Sequence, residues 1–454
     1  MPELGAAVEQ FLTTIDKADT KKAYTIALRA LAPELCARVP LTGLEGGTGT
    51  RQPHRRRRAG ASSSIPDRQA HPKLMTRASR HPRSLPTSKE GLNMNSHAFD
   101  LLCRAVEETD AGRADMAGRW LEKLRSVINP EKAGGDDFLY LLYHDALAAR
   151  HGTCQDERDN LYLRSFELPQ IQLFDLVAAH LPIVNLAGRI GGALLAGHLA
   201  GQDEATMLSV GIGSGGQEAA VLRTLANRDQ APGRLTVIGV DPAAASLRQA
   251  EQAIRDTGVT LDFHGVPRLA EHMTGEDWDL VRRAPRPLVM NAAFALHHLR
   301  DSTSGVDERN TFFESLRAAE PDVVVLCEPD SDHHRVALPE RFHNSWEHFH
   351  AVFRLIDALE VTAADRNAMK LFFRREVADI VGTADDKERY ERHEPTATWL
   401  ARLREAGFHP MPVPPSAVPE AATPAAIRQD PDSVRIGFEG ESLVAVLYAV
   451  PARK

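Results

Sequence analysis

An apolar run that stops on three closely spaced glycines, MLSVGIGSGGQEAA at residues 207–220, restricts the fold of this chain more than any other segment. Met207, Leu208 and Val210 read as a buried parallel strand, since a short apolar run bounded by turn residues suits the interior of an α/β sheet. Gly211, Gly213 and Gly215 then let the backbone turn sharply and come close to a ligand before a helix begins. A second apolar strand at 235–240 ends on Asp241, whose carboxylate can accept both hydroxyls of a ribose at the carboxyl edge of such a sheet.

The pattern continues in the same alternation. Strands are predicted at 207–211, 235–240, 260–264, 287–291 and 322–327, with helices at 216–226, 243–256 and 308–319 between them, which implies a parallel, doubly wound sheet. Helical periodicity returns at 339–359 and 366–381, after the fifth strand and therefore on the ligand side, where a lid belongs. The tail offers a helix at 396–406 and two apolar runs, 434–438 and 443–450, joined at Gly440 so tightly that they must be antiparallel. The run Gly211-Ile212-Gly213-Ser214-Gly215-Gly216 satisfies the dinucleotide fingerprint G-x-G-x-x-G and also resembles the G-x-G-x-G motif of S-adenosylmethionine-dependent methyltransferases. The closing hairpin tips the comparison, because five parallel strands followed by an antiparallel pair resemble the methyltransferase sheet more than the dehydrogenase sheet.

Composition changes abruptly near residues 41 and 95. Residues 41–95, with a basic run at Arg55 to Arg58 and much Ser and Pro, hold almost nothing to bury and read as a disordered basic linker. Residues 1–40 read as a short helical segment that resembles the start of the core-binding domain of tyrosine recombinases, without that family's catalytic Arg, His and Tyr downstream. From residue 96 to 200 helical spacing dominates, as in Ala98, Leu101, Leu102 and Ala105, giving a helical cap. Residues 201–454 form the sheet domain, with the helical insertion at 335–394. A net charge of −8 argues against nucleic acid as the main partner. The four cysteines, Cys36, Cys103, Cys154 and Cys327, are widely separated and suggest reduced thiols rather than a zinc site. The longest apolar stretch, 181–200, is interrupted by Asn185, Arg189 and His198, and the amino terminus lacks a signal-peptide layout. The expected setting is the cytoplasm, without a membrane span.

Three further segments carry a family resemblance. VMNAAFALHHLRD at 289–301, LRAAEPDVVVLCEPDSDHH at 316–334 and RREVADIVGTADDKERYERHE at 374–394, the last followed by WLARLREAGF, are similar in order and content to the signature of the GRAS domain. That family comprises plant regulators with bacterial members, and this chain is identified as resembling a bacterial one. The resemblance covers about residues 96–451 and implies a Rossmann methyltransferase fold with a helical cap. Two departures stand out: Ser209 occupies the place of the acidic residue of the family's VHIID block, and the terminal motif lacks its tryptophans. The glycines, in turn, are more methyltransferase-like than is usual for plant GRAS sequences.

The candidate chemistry follows. For cofactor binding the residues are Gly211, Gly213, Gly215 and Gln217 at the turn, Asp241 on the ribose, and Asn291 at the end of the fourth strand near the methyl donor. For catalysis they are Glu328 at the end of the fifth strand, and His298 and His334 as bases. Asp330, Asp332, His333 and His334 have a metal-binding composition, but adjacent ligands in a loop rarely close a site unaided, so no metal is expected. Glu347, His350, Phe349 and Phe353 suit either a lid over a small substrate or a face packed on the cap. The expected activity is methyl transfer from S-adenosylmethionine to an oxygen or nitrogen of a small molecule, which needs in-line positioning and exclusion of water more than protein chemistry. The alternative is a non-catalytic GRAS-type regulator that binds a small ligand and a protein partner, with a homodimer through the cap helices as one possible assembly.

Overall fold

The computed structural model describes residues 96–129, 136–152, 170–301, 306–420 and 423–452. The expectations for residues 1–95 lie outside the described residues. Five helices open the described chain: α1 (Ser96–Asp110), α2 (Ala114–Val127), α3 (Asp137–Arg150), α4 (Gln170–His180) and α5 (Pro182–Leu199). Strand and helix then alternate through β1 (Glu204–Val210), α6 (Gly216–Ala226), β2 (Arg234–Val240), α7 (Ala244–Arg255), β3 (Leu261–Val266), α8 (Gly275–Arg283), β4 (Leu288–Ala293), α9 (Glu308–Ala318) and β5 (Val323–Pro329). The insertion supplies α10 (Leu338–Asp357), α11 (Ala363–Phe372) and α12 (Arg374–Val377), the last running into a π-helical turn at Ala378–Gly382. α13 (Thr396–Glu405), β6 (Phe408–Pro410), β7 (Ala426–Asp430), β8 (Ser433–Phe438) and β9 (Glu441–Pro451) complete it.

All nine strands form one sheet in the order β3-β2-β1-β4-β5-β9-β8-β7, with β6 also pairing β9. β1 to β5 are parallel, and β9 enters antiparallel to β5. The predicted hairpin is therefore present as β8 and β9, while β6 and β7 were not anticipated. β7 is a mostly exposed edge whose sequence AIRQD carries little apolar signal, and β6 has only three residues.

Strict side-chain alternation along buried strands divides the core in two. Met207, Val237, Val289 and Val325 face the layer of α5, α6, α7 and α10, whereas Leu208, Ile238, Met290 and Leu326 face Trp278, Phe312, Phe313 and Trp399 of α8, α9 and α13. Both faces are covered, which is why the central strands read as continuous apolar runs rather than as alternating ones. The apolar stretch at 181–200 becomes α5, which starts on Pro182 and buries Ile183, Leu186, Ile190 and Leu194 against the sheet. Among the described residues no single helix is long and apolar enough to cross a membrane.

α10 packs on α1, α3 and β9. Trp346 lies at the centre of that contact, with ring centroids 5.2 Å from Phe99, 4.7 Å from Tyr140 and 5.2 Å from Tyr143. Phe349 and Phe353 are buried in the same core, with Phe353 stacked on Phe138. The packed-face reading of this helix is the one the geometry follows.

Candidate functional site

The glycine turn sits at the carboxyl ends of β1 and β2, as its sequence requires. Gly211, Gly213 and Gly215 all have positive φ, at +67°, +53° and +73°. At Gly215 a Cβ would lie 2.7 Å from Ala250 Cα on α7, and at Gly211 it would lie 2.4 Å from Ala295 Cβ. These two glycines thus serve close packing of α6 on α7 and of the turn on the segment after β4, as well as backbone conformation. Asp241 accepts from Gly213 N–H through Oδ2 at 3.2 Å and from Ala243 N–H through Oδ1 at 2.8 Å. It locks the turn to the start of α7, and each oxygen keeps a lone pair for a further donor.

Beside the turn, Glu218 is 2% exposed. Its Oε1 accepts from Ser209 Oγ at 2.5 Å and from Asn291 Nδ2 at 2.9 Å. The acid absent from position 209 on β1 is replaced in space by a carboxylate from α6, nine residues later in the chain. Sequence reasoning missed Glu218, although it shares a face with the apolar Val221, Leu222 and Leu225 at i+3, i+4 and i+7, where a charge is out of place. Burial raises its pKa, against the hydrogen bonds from Ser209 and Asn291. A carboxyl with a raised folded pKa stabilises fully below its unfolded value and loses that contribution as pH rises through the folded one. Glu218→Gln is therefore expected to gain melting temperature relative to the native chain as pH rises above the ordinary carboxyl range. A difference between the two that does not change with pH would refute a titrating Glu218.

A cleft of about 960 Å³ opens at this turn and runs between α5 and α6 towards Tyr448. Gly211, Gly213, Gln217, Glu218 and Asn291 line it. Phe174 of α4 and Phe294, which follows β4 with φ of +55°, also line it, with their rings 6.4 Å apart edge-on. A non-glycine residue held in the left-handed region at such a mouth is the kind of strain that collects at ligand sites. Gln217 Nε2 and Asn291 Oδ1, both buried, have no hydrogen-bond partner among the described residues. A spare donor beside a spare acceptor at the glycine turn fits a polar ligand, whereas two of the expected cofactor residues, Gly215 and Asp241, do not line the cleft and serve the turn itself. Residues 335–394 contribute nothing to the lining, so the expected lid over the cleft is not where the insertion lies; α4 supplies Phe174, Asp175 and Ala178 to it, and α5 forms one wall.

The three catalytic candidates are placed elsewhere. Glu328 is fully buried and accepts backbone N–H bonds from Ala295, Leu296 and His297 at 3.2, 2.9 and 3.4 Å, with His297 Nδ1 at 2.7 Å. His334 is enclosed by Glu394 Oε1 at 2.6 Å, Asp301 Oδ2 at 3.1 Å and Arg309 Nη1 at 3.1 Å. Burial alone would raise the Glu394 carboxyl, but His334 and Arg402 outweigh it and hold it at about 2. His298 is half-exposed, 3.5 Å from Glu391 Oε1. None of the three lines the cleft. The Asp330–His334 loop also disperses its polar groups: Asp330 accepts from Thr396 N–H at 2.7 Å and from Ser442, while His334 joins the ion-pair network.

Sheet order, the glycine turn after β1 and the helical cap together define a Rossmann domain of methyltransferase type. The chain belongs to the GRAS domain family, whose model matches residues 98–444. It is 27% identical over 235 residues to Scarecrow-like protein 1 of Arabidopsis thaliana, covering 49% of this chain and 39% of that protein. It is 26% identical over 217 residues to Scarecrow-like transcription factor PAT1 of the same plant, covering 45% and 44%. The chain thus spans less than half the length of these two relatives. Its fold is that of the crystal structure of SCL7 from Oryza sativa, with a TM-score of 0.62 at 21% identity over 78% of this chain and 99% of that one.

Proposed function

We propose that this protein is a GRAS-type regulator that binds a small adenosyl-type ligand, S-adenosylmethionine or its demethylated product, in the cleft without turnover, and meets a protein partner through its cap. The observation that carries this reading is membership of a family whose matched relatives include a transcription factor, and the placement of the candidate acids and bases agrees with it. Glu328 spends its carboxylate on three backbone N–H groups and His297, and His334 is sealed in an ion-pair network, so neither is placed to move a proton at the cleft. Methyl transfer to an oxygen or nitrogen of a small molecule is the second reading. It is favoured by the glycine turn and the unpartnered Gln217 and Asn291 atoms, because such transfer relies on positioning rather than on a protein base.

Calorimetric titration of S-adenosylmethionine and S-adenosylhomocysteine into the full chain tests the ligand. Binding is expected, weakened about tenfold by Gln217→Ala, a change of about 1.4 kcal/mol. No heat and no shift in melting temperature at millimolar ligand would remove adenosyl compounds from the site. Incubating the protein with S-adenosylmethionine and a small-molecule cell extract separates the two readings. S-adenosylhomocysteine formed above the blank overturns the regulator, and its absence alongside retained binding supports it.

A further inference from the structure

A second gathering of reactive side chains lies away from the cleft, where the turn after β4 meets the 389–394 segment that closes the insertion. His297 Nε2 and His393 Nε2 stand 3.4 and 3.3 Å from the same Glu391 oxygen, Oε2. All three donor atoms fall within 4.8 Å of one another. Two ligands held at about 2.0–2.1 Å by a tetrahedral ion stand about 3.3 Å apart, so both measured separations match an edge of that tetrahedron. Glu376 Oε2 lies 3.9 Å from the same His393 Nε2. Its side chain is only 15% exposed and makes no hydrogen bond among the described residues.

The surroundings complete the pattern. Glu328 Oε2 lies 2.7 Å from His297 Nδ1, and three backbone N–H bonds hold that carboxylate as an acceptor. With Nδ1 donating to Glu328, Nε2 of His297 faces Glu391, and an ion bound there takes the place of the Nε2 proton. Carboxylates orient metal-binding histidines in this way. Glu376 and Glu391 both approach the buried His393, at 3.9 and 3.3 Å from its Nε2.

We propose that His297, His393 and Glu391 bind one divalent transition-metal ion. Two imidazole nitrogens and one carboxylate oxygen are donors suited to Zn2+ with one position left for solvent, and Glu376 nearby helps to balance its charge. The ion ties the turn after β4 to the 389–394 segment, two parts of the chain that no single element joins. It is a brace separate from the cleft, and its presence does not depend on which ligand the cleft takes.

The test uses the full chain, stripped with a chelator and then equilibrated with Zn2+. Uptake of one ion per chain and a raised melting temperature are expected. His393→Ala and Glu391→Gln should each abolish uptake, while His272→Ala, exposed and distant in sequence, leaves it unchanged. Co2+ read in the native chain keeps the test valid if a variant fails to fold. Intense visible bands of a four-coordinate ion support the site; the weak bands of a six-coordinate ion overturn it. So does the lack of stoichiometric uptake by the native chain, or uptake unaltered in both His393→Ala and Glu391→Gln.

Discussion

Glu328→Ala is expected to destabilise the protein by about 3–5 kcal/mol, the usual consequence of removing one partner from a buried, hydrogen-bonded charge cluster. Three backbone N–H groups, of Ala295, Leu296 and His297, would lose their acceptor, and each orphaned buried donor costs about 1–3 kcal/mol before relaxation. His297 would lose one of its two carboxylates. Burial by itself disfavours its charge, but Glu328 and Glu391 outweigh burial and push its pKa up to about 10. Glu328→Gln should cost much less, because an amide oxygen can still accept from Ala295 and Leu296. Urea unfolding of the two variants checks the energies, and calorimetry on the cleft checks the role. Lost ligand binding in a Glu328→Gln protein of native stability would show that Glu328 reaches the ligand after all.

Trp346→Ala is expected to cost about 3–5 kcal/mol, the range for truncating a large aromatic side chain in a core that cannot collapse around the gap. Trp346 is 2% exposed and touches rings from α1, α3 and α10 itself: Phe99, Tyr140, Tyr143, Phe342 and His350. Its loss removes the keystone between cap and insertion, so limited proteolysis should cut within residues 96–150 before the sheet domain is attacked. Trp346→Phe should cost under about 1.5 kcal/mol, since it retains most of the apolar volume and removes an indole N–H that has no partner. A Trp346→Ala loss below 1 kcal/mol, roughly the cost of a surface change, would mean that cap and insertion are held by other contacts.

The parallel strands and their order of appearance were legible because each is a short apolar run bounded by glycine, proline or polar residues, and such runs have few other stable uses. β6 and β7 were not, since a three-residue strand and an exposed edge carry almost no periodic signal. Of the cofactor candidates, Gly211, Gly213, Gln217 and Asn291 meet at one cleft mouth, whereas Gly215 and Asp241 do not line it. The catalytic candidates were chosen because strand ends face the cleft in such sheets. That rule says where a backbone ends, whereas Glu328 is claimed by the turn that follows β4.

Local chemistry in the sequence determined the Rossmann sheet, the glycine turn and family membership, because periodicity, turn residues and motif order are properties of neighbouring residues. Only the tertiary structure decided that a Glu218 carboxylate sits beside Ser209, that the insertion does not line the cleft, and that His297, Glu391 and His393 converge. Each of those facts depends on side chains brought together from separate elements. Their proximity follows from how two faces of a sheet and an inserted helical layer pack to bury apolar surface, which no window along the chain contains.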